Sequence, residues 1–369
     1  MVESFWLEIF FLTLSIVLLG YYLLVWKKLA DYKSPAIQMS ELPFVSVVIC
    51  AKNERENLKK FLPKILNQNY PNYEVVLVDD LSDDGTAGLL NKFSFKYKNF
   101  RPFKFEKPKK SFGKKEVLEF GISEARGEYL VMTDADCYPK SENWLVSIVN
   151  GFENGAEIVF GVGQYEYENT LINKLIQLDT GFIALNYLSF ALVKMPYMSV
   201  GRNVAYKKDL FKKVGGFKSH YSIPSGDDDL FVNELPKKTK VGIVTSPKSQ
   251  TVSVPKLYLK SYFRQKIRHV SAGISYSWVN ILRLSVFYIS SMLWYFILPL
   301  VIYYSDQIII VLTIVVLKKL TMYSLISRIF SKIGIRVNYG MILLTEFISV
   351  FFHNTAVLVT FFKSKKGTW

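Results

Sequence analysis

The sequence predicts an α/β protein, a mostly parallel sheet with helices on both faces, carrying transmembrane helices at both ends. Two patterns predict it. Between residue 43 and about residue 255, short apolar runs alternate with segments of helical spacing, the pattern of strand–helix–strand units in a parallel sheet. Outside that stretch, apolar runs of membrane-spanning length open and close the chain. Half of the 369 residues are hydrophobic and 15% are aromatic, which is high for a soluble enzyme of this size.

Ile9 to Trp26 (IFFLTLSIVLLGYYLLVW) is an eighteen-residue run without a charge, long enough to span a bilayer core, and residues 1–30 read as a membrane anchor. A cleaved signal peptide would need a basic start and small residues at a cleavage site. Here Glu3 and Glu8 precede the run, and Lys27, Lys28 and Lys33 follow it. That bias places the N-terminus outside and the next domain inside.

Residues 43–255 read as one domain. Val45–Cys50 (VSVVIC) is a buried strand and Glu54–Leu66 a helix. Tyr73–Val78 is a second strand, followed by a helix near Gly85–Lys92. Arg101–Phe105 is a third strand, Lys114–Ala125 a helix, and Tyr129–Thr133 a fourth strand. From Lys256 to Arg268, Leu257, Tyr258, Tyr262, Phe263 and Ile267 mix with five basic residues. That mixture suits a helix lying in a membrane interface, and residues 256–283 read as such a segment. Residues 284–369 hold two to three spans, near 284–304 and 340–362, with a shorter run at Ile308–Leu317 between them. The short run either continues to about Leu325 or re-enters. Three spans would leave the C-terminus outside, whereas Lys363, Lys365 and Lys366 favour the inside.

The net charge is +15, and ten basic residues fall between Lys92 and Lys115 with Glu106 as the only acid among them. Such a run is a solvated basic face beside an anionic membrane, or a site for an acidic substrate. No nucleic-acid recognition module accompanies it. Cys50 and Cys137 are the only cysteines, too few for a disulfide framework. The three histidines are far apart in sequence, and HExxH and CxxC are absent, which argues against zinc.

The carboxylates fall where strands end. Asn53 and Glu54 closely follow the first strand, Asp79 and Asp80 follow the second, and Asp134 and Asp136 end the fourth. Ligands of open parallel sheets bind outside the carboxyl ends of the strands, so separate strand ends deliver polar groups to one edge. Asp134-Ala135-Asp136 offers oxygen ligands at i, i+2 spacing, which suits Mg2+ or Mn2+ on a diphosphate. By itself the triplet is equally a turn or a capping pair. Gly113-Lys114-Lys115 stands before a helix, where lysine and helix start can hold phosphate oxygens, although a plain basic loop has the same text. Ser225-Gly226-Asp227-Asp228-Asp229-Leu230 sets three carboxylates side by side. At least one of them is expected to titrate high unless a cation neutralises it, which makes a candidate general base. A surface loop or a helix start is the plainer alternative.

These segments, in this order, resemble the family 2 glycosyltransferases, enzymes of the GT-A fold, over about Pro43 to Gly273. Ala51-Lys52-Asn53-Glu54 resembles the first-strand motif, and Val78-Asp79-Asp80 with Ser82, Asp83, Asp84, Gly85 and Thr86 resembles the second. Gly113-Lys114, Ala125-Arg126-Gly127-Glu128-Tyr129 and Asp134-Ala135-Asp136 resemble the approach to the metal-binding strand. Gly201-Arg202-Asn203 and Gly215-Gly216-Phe217 resemble acceptor-side segments. Gly226-Asp227-Asp228-Asp229-Leu230 resembles the ED-x-DL motif, and Gln265-Lys266-Ile267-Arg268-His269 the QxxRW motif of membrane-associated members. Gly226 stands in place of Glu, His269 in place of Trp, and Glu119 where many members have Asn.

The resemblance implies a nucleotide-sugar donor held by Ala51, Asn53, Glu54, Asp79, Asp80, Lys114 and Asp134. It implies a divalent ion at Asp136, catalytic carboxylates at Asp227 and Asp229, and acceptor or diphosphate contacts from Gln265, Arg268, His269 and Arg202. The implied acceptor is a lipid or lipid-linked glycan, and the implied setting is the inner cell membrane with the catalytic domain cytoplasmic. A processive polysaccharide synthase of the same family is the nearest alternative, and a non-catalytic membrane scaffold a remoter one.

Overall fold

The computed structural model describes residues 2–34, 42–109, 113–223 and 225–364. Lys110 of the basic run and Lys365 and Lys366 of the C-terminus lie outside the described residues. The chain divides into two compact units. One holds Lys33–Glu166 and Pro196–Pro255; the other holds Met1–Tyr32, Tyr167–Met195 and Lys256–Trp369.

The first unit is built on a seven-stranded sheet. Its strands are β1 (Val45–Ala51), β2 (Tyr73–Asp79), β3 (Phe100–Lys104), β4 (Tyr129–Met132), β6 (Ile158–Phe160), β8 (Val204–Lys207) and β9 (Val241–Ile243), in the order β3-β2-β1-β4-β8-β6-β9. The β3, β2, β1 and β4 strands run parallel, and β8 is antiparallel to both β4 and β6. A small second sheet joins β5 (Cys137–Pro139), β10 (Thr251–Ser253) and β7 (Gly163–Tyr165). The valine-rich β1 and β2 are buried along nearly their whole length, as strands covered on both faces must be. On one face Val45, Val47, Ile49 and Ala51 cluster with Leu58, Leu62, Ile65 and Trp144. Val48, at the opposite pleat position, meets the helix Lys115–Glu124 at Gly121.

A buried polar knot ties three strands at the end away from the acidic residues. Glu74 accepts from Ser46 Oγ at 2.7 Å, from Arg126 N–H at 2.6 Å and from Arg101 at 2.9 Å. Ser46 Oγ in turn accepts the Gly127 N–H at 2.8 Å. Glu74 is 4% exposed, so each of these bonds replaces water that cannot reach it.

The second unit is helical. Val2–Tyr21 continues through one π-helical turn, Tyr22–Trp26, into Lys27–Asp31. Further helices are Leu171–Leu192, Leu259–Gly273, Trp278–Tyr304, Ile308–Lys332 and Tyr339–Ser364. Among the described residues, five stretches in this unit are long and apolar enough to cross a membrane. Three points of comparison with the sequence reading stand out. The run from Ile308 takes the longer of its two readings, a continuous 25-residue helix through Lys318 and Lys319 that reaches past Leu325 to Lys332. That continuity has a partner to thank: Lys318 pairs with Glu346 at 2.8 Å, and neither side chain is exposed. Tyr22, Ser291 and Tyr295 donate to the same Glu346 carboxylate, so the charges are enclosed by protein, as intramembrane charges must be.

The second point concerns 43–255, predicted as one domain: Tyr167–Met195 groups with the end helices instead. Asn173, Gln177, Asp179 and Asn186 interrupt its apolar text, yet all four are buried. Asp179 is neutralised by Lys266 and accepts from Tyr262 at 2.6 Å, both on the Leu259–Gly273 helix. Both ends of this segment return to the sheet unit, where β8 pairs with β4. The third point is one of extent, since the amphipathic segment forms its helix from Leu259 to Gly273 rather than through 283.

The Glu74 knot gives a stability prediction. Glu74→Ala leaves the Arg126 N–H and the Ser46 hydroxyl without their acceptor and removes the ion-pair partner of Arg101, which keeps its bond to the Glu124 carbonyl; a loss of about 1–3 kcal/mol is expected, read as a lower Tm of detergent-purified protein. A Tm within a degree or so of wild type would show that the knot contributes little.

Candidate active site

The sheet carries its acidic residues at one edge because β1, β2 and β4 are parallel and in register: Ala51 pairs with Asp79, and Val48 with Met132. Beyond these ends the chain makes turns rather than regular structure, and the side chains of the turns converge.

Lys114 is the centre of the convergence. It bounds the helix Lys115–Glu124, and its Nζ lies 2.6 Å from Asp134 and 3.2 Å from Asp227. Burial alone would lower its pKa, but the carboxylates of Asp134 and Asp227 outweigh burial and hold it well above the usual lysine value. Around it, Cys50, Thr133, Ser199, Gly201 and Asp228 line the same cleft. Gly201 permits the close approach: a Cβ there would stand 3.2 Å from Asp228 and 3.5 Å from Asp227. The Gly201–Asn203 turn is fixed from beneath by Asn203, fully buried, which accepts from Trp144 Nε1 at 3.0 Å and donates to the carbonyls of Val162 and Ser249.

Among these residues Asp228 titrates high. Burial, then the charge of Asp227, push it up to about 6, against the opposing pull of Lys114 and of the Gly201 and Asp229 N–H groups it accepts. Asp229 is buried in the first turn of the helix Asp229–Asn233. Adjacency to Asp227 was the only sequence signal for Asp228, and it does not distinguish the two.

Asp136 stands beside Asp134. Carboxylate oxygens of both, with Cys137 Sγ, lie within 4.8 Å of one another. Burial, then the charges of Asp134 and Asp136, push the Cys137 thiol well up. Cys137 Sγ lies 2.9 Å from Ser253 Oγ and donates to Asp136. The two carboxylates are hard oxygen ligands, which fit Mg2+ or Mn2+. Lys114 already pairs with Asp134.

The other residues singled out from sequence divide. Asp80 is buried and pairs with Lys109, a member of the basic run. Asp79 is 2% exposed and accepts from the Ser82 hydroxyl and N–H. Asn53, at φ 56°, donates its N–H to Ser82 Oγ and accepts from the Asp83 N–H. Glu54 accepts from Asn57, and the Ala51 carbonyl from the Asp80 N–H. These residues shape the wall at β1 and β2. Arg202 lies over the Tyr165 ring at 4.5 Å and donates to the Gly163 carbonyl at 2.9 Å. Gln265, Arg268 and His269 belong to the helical unit, on the Leu259–Gly273 helix, where Arg268 and His269 are exposed and Tyr262 and Lys266 are buried.

A mostly parallel sheet whose strand ends hold paired carboxylates and a lysine defines a GT-A-type fold. Residues 46–215 match Glycosyl transferase family 2. Glycosyltransferase AglE of Haloferax volcanii is 34% identical over 51% of this chain and 60% of its own length. Dolichol-phosphate mannosyltransferase of Pyrococcus furiosus is 36% identical over 32% of each. The chain spans about half the length of the first curated relatives it matches. The mannosyltransferase PcManGT of Pyrobaculum calidifontis, solved with GDP-Man and Mn2+, shares the fold at a TM-score of 0.62 and 18% identity, over 95% of this chain and 99% of its own. Over residues 46–215 the chain is similar to glycosyltransferase family 2.

The raised Asp228 gives a pH prediction. Its folded pKa exceeds the unfolded value, so below the unfolded value it costs the folded state nothing; the cost grows as pH rises from there and is fully present above about 6. In metal-free buffer, Asp228→Asn should raise Tm more at pH 8 than at pH 4.5. A gain of equal size at both pH values would contradict the assignment.

Proposed function

We propose that this chain is a membrane-bound inverting glycosyltransferase that moves a sugar from a nucleoside-diphosphate sugar to a lipid or lipid-linked glycan. The observation that carries the reading is the single ammonium of Lys114 set between Asp134 and Asp227. It joins the strand end expected to hold the donor to the loop expected to meet the acceptor.

Asp134 and Asp136 are the residues that would hold Mg2+ or Mn2+ on the donor diphosphate. Bound there, the ion would stabilise the charge that grows on the departing diphosphate. Asp79, Asp80, Asn53, Glu54 and Ala51 form the wall for the nucleoside, and Lys114 neutralises phosphate charge beside them. In the transfer the acceptor hydroxyl oxygen forms a bond to the anomeric carbon while the bond to the diphosphate oxygen breaks on the opposite side. One displacement of this kind inverts the carbon. Asp227 takes the hydroxyl proton; its carboxylate lines the cleft and lies 3.2 Å from Lys114 Nζ. Asp228, held by backbone N–H groups, shapes that loop, and Asp229 starts the helix that supports it.

The membrane reading draws on the long apolar helices. The exposed Arg264, Arg268 and His269 on the Leu259–Gly273 helix suit a surface of anionic lipid, where Gln265, Arg268 and His269 would meet an acceptor headgroup. Arg202 is a candidate acceptor or diphosphate contact of the sheet unit. Lys27, Lys28 and Lys33 after the first span favour the cytoplasmic side of the inner membrane for the domain that follows.

Two variants test the reading with a panel of nucleotide-sugar donors and membrane lipid extract. Asp227→Asn should keep donor binding and lose roughly 10²-fold or more in kcat. Asp136→Ala should weaken Mn2+-dependent binding of the nucleoside diphosphate by calorimetry. Normal turnover of Asp227→Asn would remove the base assignment.

A further inference from the structure

The helix that presents Lys114 also grips the backbone leading to Asp227. Lys115, the next residue, turns away from the cleft and is 1% exposed. Its Nζ donates to the carbonyls of His220 at 2.7 Å, Ile223 at 2.7 Å and Ser225 at 3.0 Å. An ammonium has three N–H donors and no acceptor, so these carbonyls satisfy it completely. One turn further along, Glu119 takes the same segment from its other end. One oxygen accepts the Phe217 N–H at 2.9 Å, and the other accepts the Tyr221 hydroxyl. Gly216 makes room for it, since a Cβ there would stand 2.2 Å from Glu119 Oε1.

Lys115 and Glu119 are four apart on one helix and therefore share a face. Between them they hold a segment whose only regular element, among the described residues, is the short turn Lys218–His220. Burying an ammonium is costly, and an apolar side chain would fill the space more cheaply. What the ammonium supplies instead is three directed bonds to backbone oxygens. The held segment ends at Gly226, φ 83°, immediately before Asp227.

We propose that Lys115 and Glu119 are positioning residues, a two-point clamp that sets the Asp227 loop against the helix whose boundary carries Lys114. Neither touches the cleft carboxylates as a donor or acceptor; both act through the backbone they hold. The proposal deepens the reading of Asp227 as the base and rests on it for its effect on turnover, but not for its effect on the loop.

The test combines kinetics with amide exchange. Lys115→Met keeps the side-chain length and strands three carbonyls. It should lower kcat roughly 10–100-fold, the scale of a small misplacement, while the Kd for nucleoside diphosphate with Mn2+ changes less than about threefold. Lys115→Ala opens a space walled by three carbonyl oxygens, and added ethylammonium should restore turnover where tetramethylammonium, which lacks an N–H, does not. Glu119→Gln retains an acceptor for Phe217 and should stay within about threefold of wild type, and Glu119→Ala should not. Amides of Phe217–Ile223 should exchange faster in Lys115→Met and Glu119→Ala. A normal kcat in Lys115→Met, or equal losses in Kd and kcat with no ethylammonium rescue, overturns the clamp. If Lys115→Met does not fold, the Glu119 pair decides in the same way. If wild type transfers no sugar, or Asp227→Asn is fully active, the base reading has failed, and exchange alone judges the clamp: unchanged exchange at Phe217–Ile223 overturns it.

Discussion

One ammonium between two carboxylates organises the polar edge of this protein. Lys114 reaches Asp134, at the end of a parallel strand, and Asp227, in a loop almost a hundred residues further on. Three adjacent acids and a DxD triplet gathered at one sheet edge would repel one another, and a buried charge is retained only when it is paired. The lysine meets that need within the chain. A divalent ion on Asp134 and Asp136 would add to it when donor is bound. Asp228 is pushed up to about 6 by its burial first and by the charge of Asp227 second.

Much of this was legible in the sequence because it follows from local rules. Valine-rich runs buried on both faces read as central strands, and residues just past their ends face the ligand edge. Asp79, Asp80 and Asp134 could be placed from that alone, whereas Lys114, before a helix, had the same text as a plain basic loop. What was not legible depends on partners distant in sequence. Nothing local separates Asp227 from Asp228; the difference comes from Gly201 and Lys114, residues far away in the chain. Lys115 reads as one more surface lysine in a basic run until the carbonyls of His220, Ile223 and Ser225 are seen around it. Glu119 was legible only as a departure from the family pattern.

The helical unit shows the same limit. The polar residues of Leu171–Leu192 break its hydrophobic text, and Lys318 and Lys319 break that of Ile308–Lys332. In both helices the interruptions are where the buried bonds are: Asp179 with Lys266, and Lys318 with Glu346. A window of hydropathy counts such residues against a span, whereas in a packed bundle they are the residues that fix which helices meet.

The account stands most directly on the coupling between Lys114 and Asp227. A double-mutant cycle with Lys114→Met and Asp227→Asn, read in kcat/KM for the donor, measures it. The account predicts strong non-additivity, with the double variant no worse than about threefold below the poorer single variant, because each substitution already breaks the shared arrangement. Effects that multiply independently would mean that the two residues serve separate purposes and that the cleft is not one site.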